Sequence, residues 1–167
     1  DETLKRMRRK YDTARFYESV LLLKKYFPGC GLTADLITGF PGETEEEFTK
    51  TLDFIEKCGF SQMHIFPYSR RPGTLADKLP GQIERREKQA RAARAAAAAD
   101  KMKEEFLKSC VGTVQQVIFE QEKDGCYHGH AGNYCEVTAN GKNLKNCMVN
   151  VQIIDVKNGM LLGKAIL

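Results

Sequence analysis

With 167 residues, 42% apolar and 29% charged, the chain has room for one ordinary domain or two small ones and is too apolar for a disordered polymer. Its net charge of +4 is modest for a nucleic-acid binder, and no apolar run approaches the roughly 20 residues of a membrane span. A cytoplasmic protein with no membrane partner is expected. The chain opens on Asp1 and a charged run to Lys10, which reads as the interior of a longer protein.

Residues 13–27 carry Phe16, Val20, Leu23 and Phe27 at helical spacing, which predicts a helix with Thr13 as N-cap and Pro28-Gly29 as its stop. Leu32 to Thr38 is short, apolar and β-branched, the pattern of a buried strand, and Gly39-Phe40-Pro41-Gly42-Glu43 ends it. Thr44 and Glu47 stand in capping-box spacing. They predict a second helix, with Phe48, Leu52 and Ile55 on one side and Gly59 at its end. Gln62 to Phe66 is the next strand. Strand, helix and strand in this order predict a βαβ unit with parallel strands.

Residues 84–108 lack Gly and Pro and include an alanine tract, so a single helix of about 37 Å is predicted. The tract should bury little, and the helix reads as a connector. After Ser109 the pattern changes to short strands at Val111–Glu120, Tyr134–Val137, Met148–Asp155 and Leu161–Leu167. Lys123-Asp124-Gly125, Ala139-Asn140-Gly141-Lys142 and Lys157-Asn158-Gly159 supply the turns, which predicts a small closed β-barrel.

Charge is unevenly spread. Residues 68–108 hold eleven Lys/Arg against six Asp/Glu, whereas residues 109–167 hold five of each. The basic clusters are Lys5, Arg6, Arg8, Arg9 and Lys10, then Arg70, Arg71, Arg85, Arg86, Lys88, Arg91 and Arg94; each is either a phosphate-binding surface or a solvated helix face. The six cysteines, Cys30, Cys58, Cys110, Cys126, Cys135 and Cys147, form no C-x-x-C pair. They read as small buried apolar residues, with no metal site.

The block Asp35-Leu-Ile-Thr-Gly-Phe-Pro-Gly-Glu-Thr-Glu-Glu-Glu-Phe48, then His64-Ile-Phe-Pro-Tyr-Ser-Arg-Arg-Pro-Gly-Thr74, closely resembles the radical-SAM methylthiotransferases. Leu4 to Tyr11 matches the same family, and Gly129-His130-Ala131-Gly132-Asn133-Tyr134 resembles its terminal TRAM domain. The resemblance implies an α/β fold: the C-terminal part of a radical-SAM barrel over residues 1–108, with the connecting helix at 84–108, followed by an OB-like TRAM barrel over 109–167. Phe66 to Thr74 with Pro80-Gly81-Gln82 looks most like the branch that adds a 2-methylthio group to threonylcarbamoyladenosine beside the tRNA anticodon. The branches acting on isopentenyladenosine or on a ribosomal protein are the alternatives within the family.

Family members use S-adenosylmethionine and two 4Fe-4S clusters held by thiolates. The three-cysteine loop of the family is missing here, so the chain alone is expected to bind no cluster and to be inactive, with no catalytic residue of its own. In a parallel barrel, ligands meet the C-terminal strand ends. The resemblance therefore assigns Thr38, Gly39, Phe40, Gly42, Glu43 and Phe66 to S-adenosylmethionine; Glu43 reads first as a carboxylate at a helix N-terminus and second as a ligand group. Arg8, Arg9, Arg70 and Arg71 suit either a carboxylate or RNA phosphates. Arg70, Arg71, Arg85, Arg86, His130, Asn133 and Tyr134 are the candidate contacts to the tRNA anticodon arm, with Tyr127 and His128 as further candidates for base stacking. An open sheet edge predicts self-association or a covering helix. Two readings outside the family remain: a non-catalytic RNA-binding protein, and a phosphate binder at residues 39–43, which lack the Lys-Ser/Thr ending of a P-loop.

Overall fold

In the computed structural model, which describes residues 1–166, the chain divides into two units. The first comprises residues 1–26 and 32–102, the second residues 27–31 and 103 onward. Leu167, the last residue of the predicted final strand, lies outside the described residues. Among the described residues no helix is long and apolar enough to cross a membrane.

In the first unit, helices α1 (Glu2–Arg6) and α2 (Thr13–Tyr26) precede strand β1 (Thr33–Thr38), helix α3 (Glu45–Cys58) and strand β2 (Gln62–Pro67). A 3-10 turn at Ala76–Lys78 then leads to helix α4 (Arg85–Cys110). The cap of α2 is Asp12 and not Thr13: Asp12 Oδ1 accepts from the Arg15 N–H at 2.8 Å, and its carbonyl accepts from Phe16 at 3.0 Å. The predicted apolar stripe is also shorter, because Phe16 and Val20 join the core while Leu23 and Phe27 stay 43% and 61% exposed. Periodicity reports which residues share a face; it does not report how much surface lies opposite that face.

The capping box of α3 forms as its spacing dictates. Thr44 Oγ1 accepts from the Glu47 N–H at 3.1 Å and Glu47 Oε2 accepts from the Thr44 N–H at 3.0 Å, while Gly59 ends the helix at φ 60°. β1 and β2 pair in parallel, from Thr33 opposite Gln62 to Thr38 opposite Pro67. One sheet face, Ala34, Leu36, Met63 and Ile65, packs against a core of Val20, Ile55, Cys58, Phe60, Ala99 and Met102. Alternation puts Asp35, Ile37, His64 and Phe66 on the other face. The alanine tract buries more than expected, since Ala95 and Ala99 are 0% and 7% exposed. A methyl side chain lets the helix axis come close to what it packs on, so small residues form an interior face.

In the second unit, β3 (Val114–Lys123), β4 (Cys126–Ala131), β5 (Glu136–Asn140), β6 (Met148–Lys157) and β7 (Met160–Ile166) close a barrel in the order β3-β4-β5-β7-β6. All pairings are antiparallel except β5 with β7. A mixed α/β chain with a small closed five-stranded barrel is compatible with an OB-like unit. Val117, Phe119, Tyr127, Val137, Ala139, Val151, Ile153 and Leu161 alternate inward to fill it, closed by Leu107, Cys110 and Leu144.

Three expectations for this unit are corrected. β4 was not anticipated as a strand, and it takes Gly129 because a Cβ there would lie 1.9 Å from the Ile118 carbonyl oxygen of β3. The strand expected at Tyr134–Val137 runs from Glu136 to Asn140, because Tyr134 sits in the preceding turn. Asn140-Gly141 makes no hairpin, since β5 pairs with β7 and not with β6. Asp124-Gly125 and Asn158-Gly159, all at positive φ, do form the hairpin turns. The cysteines are also not uniformly buried: Cys58 and Cys110 are, but Cys147 is exposed.

Candidate functional site

The C-terminal ends of β1 and β2 are joined by the Tyr68 N–H, which donates to the Thr38 carbonyl at 2.8 Å. From there the chain turns through Gly39 (φ 70°) to Gly42 (φ 78°). A Cβ on Gly39 would stand 2.3 Å from Lys88 Cγ, so positive φ and the close passage of α4 both require glycine. Lys88 then spans the gap, with Nζ donating to the Tyr68 carbonyl at 2.9 Å and its own carbonyl accepting from Thr38 Oγ1 at 3.4 Å.

Glu43 closes this turn. Its Oε2 accepts from the Gly39 N–H and from Arg91 Nη1, each at 2.8 Å, and Arg91 Nη1 also donates to the Glu43 carbonyl at 2.8 Å. Both side chains are buried, and Arg91 Nη2 reaches Glu87 at 2.5 Å. Of the residues expected at the cofactor, Thr38 and Glu43 are thus spent on shaping the turn, and Gly39 faces α4. Phe66 is half-exposed at the strand end, while Phe40 is buried edge-on to Tyr68 with ring centroids 5.2 Å apart.

Beside these strand ends lies a cleft of about 470 Å3 lined by Arg6, Met7, Arg8, Arg9, Ile37, Phe40, Tyr68, Leu75, Ala76, Lys78 and Leu79. α1 delivers its arginines by a Schellman turn, in which the Arg9 N–H donates to the Leu4 carbonyl and the Arg8 N–H to that of Lys5, each at 2.9 Å. Arg8 occupies the left-handed position of that turn at φ 57°. Arg6 is committed to Glu47 through both terminal nitrogens, and Glu47 titrates below the ordinary glutamate range chiefly because of that hydrogen bond. Arg8, Arg9 and Lys78 enter no ion pair among the described residues. The hydroxyl of Tyr68 is buried without a partner.

The other basic candidates have separate fates. Arg70 is held by Asp77, with Nε to Oδ1 at 2.8 Å, while Arg71, Arg85 and Arg86 are exposed. In the barrel unit, Asn133 and Tyr134 lie in the turn that joins β4, which carries His130, to β5. Asn133 Oδ1 accepts from the Cys135 N–H at 3.2 Å, and Tyr134 is 86% exposed at φ 64°. His130 Nδ1 lies 2.9 Å from Glu120 Oε2. Tyr127 is not available for stacking: it is buried, and its hydroxyl accepts from the Asn143 N–H at 3.1 Å. His128 faces Thr138 at 3.1 Å. Sequence reading missed Tyr68 and Lys78 as cleft residues and took Arg91 for part of a surface cluster. The only available signal was Tyr68's position directly after a strand end.

Comparison with known proteins gives the class first. Residues 1–55 match the family model of the Radical SAM superfamily. Threonylcarbamoyladenosine tRNA methylthiotransferase MtaB of Bacillus subtilis (strain 168) is 38% identical over 157 residues, covering 90% of this chain and 35% of its own length. Two tRNA-2-methylthio-N(6)-dimethylallyladenosine synthases also match. That of Oleidesulfovibrio alaskensis is 45% identical over 72% of this chain and 26% of its own length, and that of Finegoldia magna is 35% identical over 99% and 37%. Over most of its length the chain is similar to radical-SAM tRNA methylthiotransferases, and it spans about a third of the length of the curated relatives it matches.

Proposed function

We propose that this chain is part of a tRNA methylthiotransferase that adds a 2-methylthio group to threonylcarbamoyladenosine beside the anticodon. The observation that carries the reading is the 38% identity to a protein of that name over 90% of the chain. Residues 1–108 contribute barrel elements and residues 109–166 an RNA-binding TRAM barrel. The exposed arginines Arg71, Arg85 and Arg86 meet phosphates of the anticodon arm, and Tyr134, with His130 and Asn133 beside it, meets unstacked bases.

S-adenosylmethionine fits the strand ends only in part, because Thr38, Gly39 and Glu43 are engaged within the protein. Phe66 and the face it shares with Ile37 are the apolar surface on which an adenine ring can rest. When bound in the whole enzyme, the cofactor supplies the radical that activates the substrate carbon and the methyl group of the product. What this chain's own residues do is hold that edge: Arg91 and Lys88 fix the turn from below, and Phe40 with Tyr68 walls it. Among the described residues no three His, Cys, Asp or Glu side chains gather as a metal site, and Cys58 and Cys110 are buried apolar residues.

The test is mass spectrometry of tRNA nucleosides from a host lacking this modification that expresses the full-length protein. Appearance of 2-methylthio-threonylcarbamoyladenosine is expected. Unchanged nucleosides would overturn the reading. Modification of dimethylallyladenosine instead would favour a second reading, which the 45% identity to a synthase of that name supports over a shorter stretch.

A further inference from the structure

Strand register lays a row of three side chains across the outer face of the barrel: His128 of β4 stands opposite Thr138 of β5, and Thr138 opposite Leu162 of β7. All three line a groove of about 200 Å3. Because β5 runs antiparallel to β4 and parallel to β7, the β3–β4 hairpin meets the C-terminal end of β5 and the β6–β7 hairpin meets its N-terminal end. At the first of these ends Cys126 Sγ donates to Asn140 Oδ1 at 3.1 Å. Each hairpin brings one lysine to the groove, Lys123 from the first and Lys157 from the second. Both are exposed, and neither enters an ion pair among the described residues.

The unit as a whole is neutral, but the groove is laid out unevenly. Its one acid, Asp124, has its place dictated by the backbone: at φ 52° it is the Asx of an Asx-Gly turn, as Asn158 is in the other hairpin at the same φ. The two lysines have no such duty. Between them the floor is mixed. Thr138 Oγ1 lies 3.1 Å from His128 Nδ1, which ties the imidazole to the sheet and leaves Nε2 for a ligand. Met160 and Leu162 make the rest of the floor apolar. A flat ring against aliphatic and imidazole side chains, with an anion at either end, is the outline of a nucleotide within a strand, one base between two phosphates. A duplex hides its base faces, and a free mononucleotide reaches only one lysine. The strand order β3-β4-β5-β7-β6 is also that of an OB-like barrel, whose face at the second and third strands, between the first and last hairpins, suits oligonucleotides.

We propose that this groove holds one unstacked, internal nucleotide of the RNA substrate, with the base across His128, Thr138, Met160 and Leu162 and its two flanking phosphates on Lys123 and Lys157. The proposal rests on the tRNA reading and adds a second base position to the one at Tyr134. His130 and His128 lie two residues apart on the same face of β4, so the two positions are separated by about 7 Å along the strand at His130. The bound loop crosses β4 and β5 from the Tyr134 turn to the two hairpins, with its bases splayed and its backbone anchored at the far end by lysines.

The test is fluorescence anisotropy of the full-length protein at several salt concentrations with three synthetic probes: an anticodon stem-loop, the same stem-loop with an abasic nucleotide at one loop position at a time, and a blunt RNA duplex. Lys123→Gln and Lys157→Gln are changes at exposed sites, and each should lower the slope of log affinity against log salt by about one. In the abasic series one loop position should stand out. Removing its base should weaken binding about tenfold in the parent protein and in Tyr134→Ala alike, but not in the double variant His128→Ala/Leu162→Ala. Duplex binding should not respond to that double variant. Photocrosslinking of a thiouridine-substituted stem-loop to the parent protein reads the same contact without any substitution, and crosslinked peptides should include residues 126–128 or 160–162. Parental salt slopes in both lysine variants, abasic penalties that all survive the double variant, or crosslinks confined to the Tyr134 turn would each overturn the assignment. If the full-length protein modifies threonylcarbamoyladenosine in tRNA while the groove variants bind as the parent does, the proposed function stands and this assignment falls.

Discussion

Arg91 grips Glu43 twice, through the backbone carbonyl and through Oε2, with both side chains out of solvent. A buried pair of this kind contributes little net stability relative to an apolar replacement, but removing one partner strands the other charge. Arg91→Met should therefore cost about 3–5 kcal/mol, and the double variant Arg91→Met/Glu43→Gln should cost less than Arg91→Met alone. Chemical denaturation of the three chains gives the comparison; equal losses in single and double variants would refute the coupling.

The turn below that pair has little tolerance. Gly39→Ala adds a Cβ 2.3 Å from Lys88 Cγ at a residue with φ 70°, so strain and overpacking together should cost about 2–4 kcal/mol. Lys88→Ala in the same chain should recover part of this by removing the clash, while the backbone term remains. Thermal melting of both variants reads the two contributions.

Acid should loosen α1 from α3. The Arg6 hydrogen bond holds Glu47 below its ordinary pKa, against an opposing push from burial, with the Thr44 N–H assisting. The folded state thus takes up this proton less readily than the unfolded one. Its contribution is complete above the ordinary glutamate pKa and is lost as pH falls through the depressed folded value. Glu47→Gln should lower stability by about 1 kcal/mol at neutral pH. That difference should shrink toward zero in urea titrations carried into the acid range.

The thiols should react in a fixed order. Burial, with smaller contributions from Cys110, pushes Cys135 up to about 12, so almost none of it is thiolate at pH 8, whereas Cys147 is exposed. Iodoacetamide labelling followed by peptide mass spectrometry should find Cys147 modified well before Cys135.

RNA binding should separate into two components. Charge removal at Arg85 and Arg86 should weaken the full-length protein's binding to many RNAs alike and flatten its salt dependence. Tyr134→Ala should instead reduce preference for an unstacked anticodon loop by about 1–3 kcal/mol. Filter binding at several salt concentrations resolves both; a salt-insensitive affinity would refute the electrostatic component.

Features that depend on neighbours in sequence were legible in advance. The capping box at Thr44 and Glu47, the αL stop at Gly59, the two Asx-Gly hairpins and the βαβ order all follow from local chemistry. What the sequence concealed is long-range. Nothing near Gly129 announces the Ile118 carbonyl that excludes a Cβ, and Asn140-Gly141 looks like a hairpin until β7 is seen to occupy the place beside β5. Arg91 reads as one cation among several because its partner lies 48 residues earlier. The cleft was half-visible for the same reason: Arg8, Arg9 and Phe40 could be named singly, but their convergence with Tyr68 and Lys78 is a property of the fold.

The parallel pairing of β5 with β7 also sets an order of events during synthesis. Residues 137–140 find their partners only at residues 161–164, so the barrel cannot close on the ribosome until β7 has cleared the exit tunnel. Until then β5 presents one unpaired edge and Leu161's place in the core stands empty, exposing Val137 and Ala139 to whatever strand arrives first. The folding chain is therefore open to mispairing at this edge for as long as β7 has not docked beside β5.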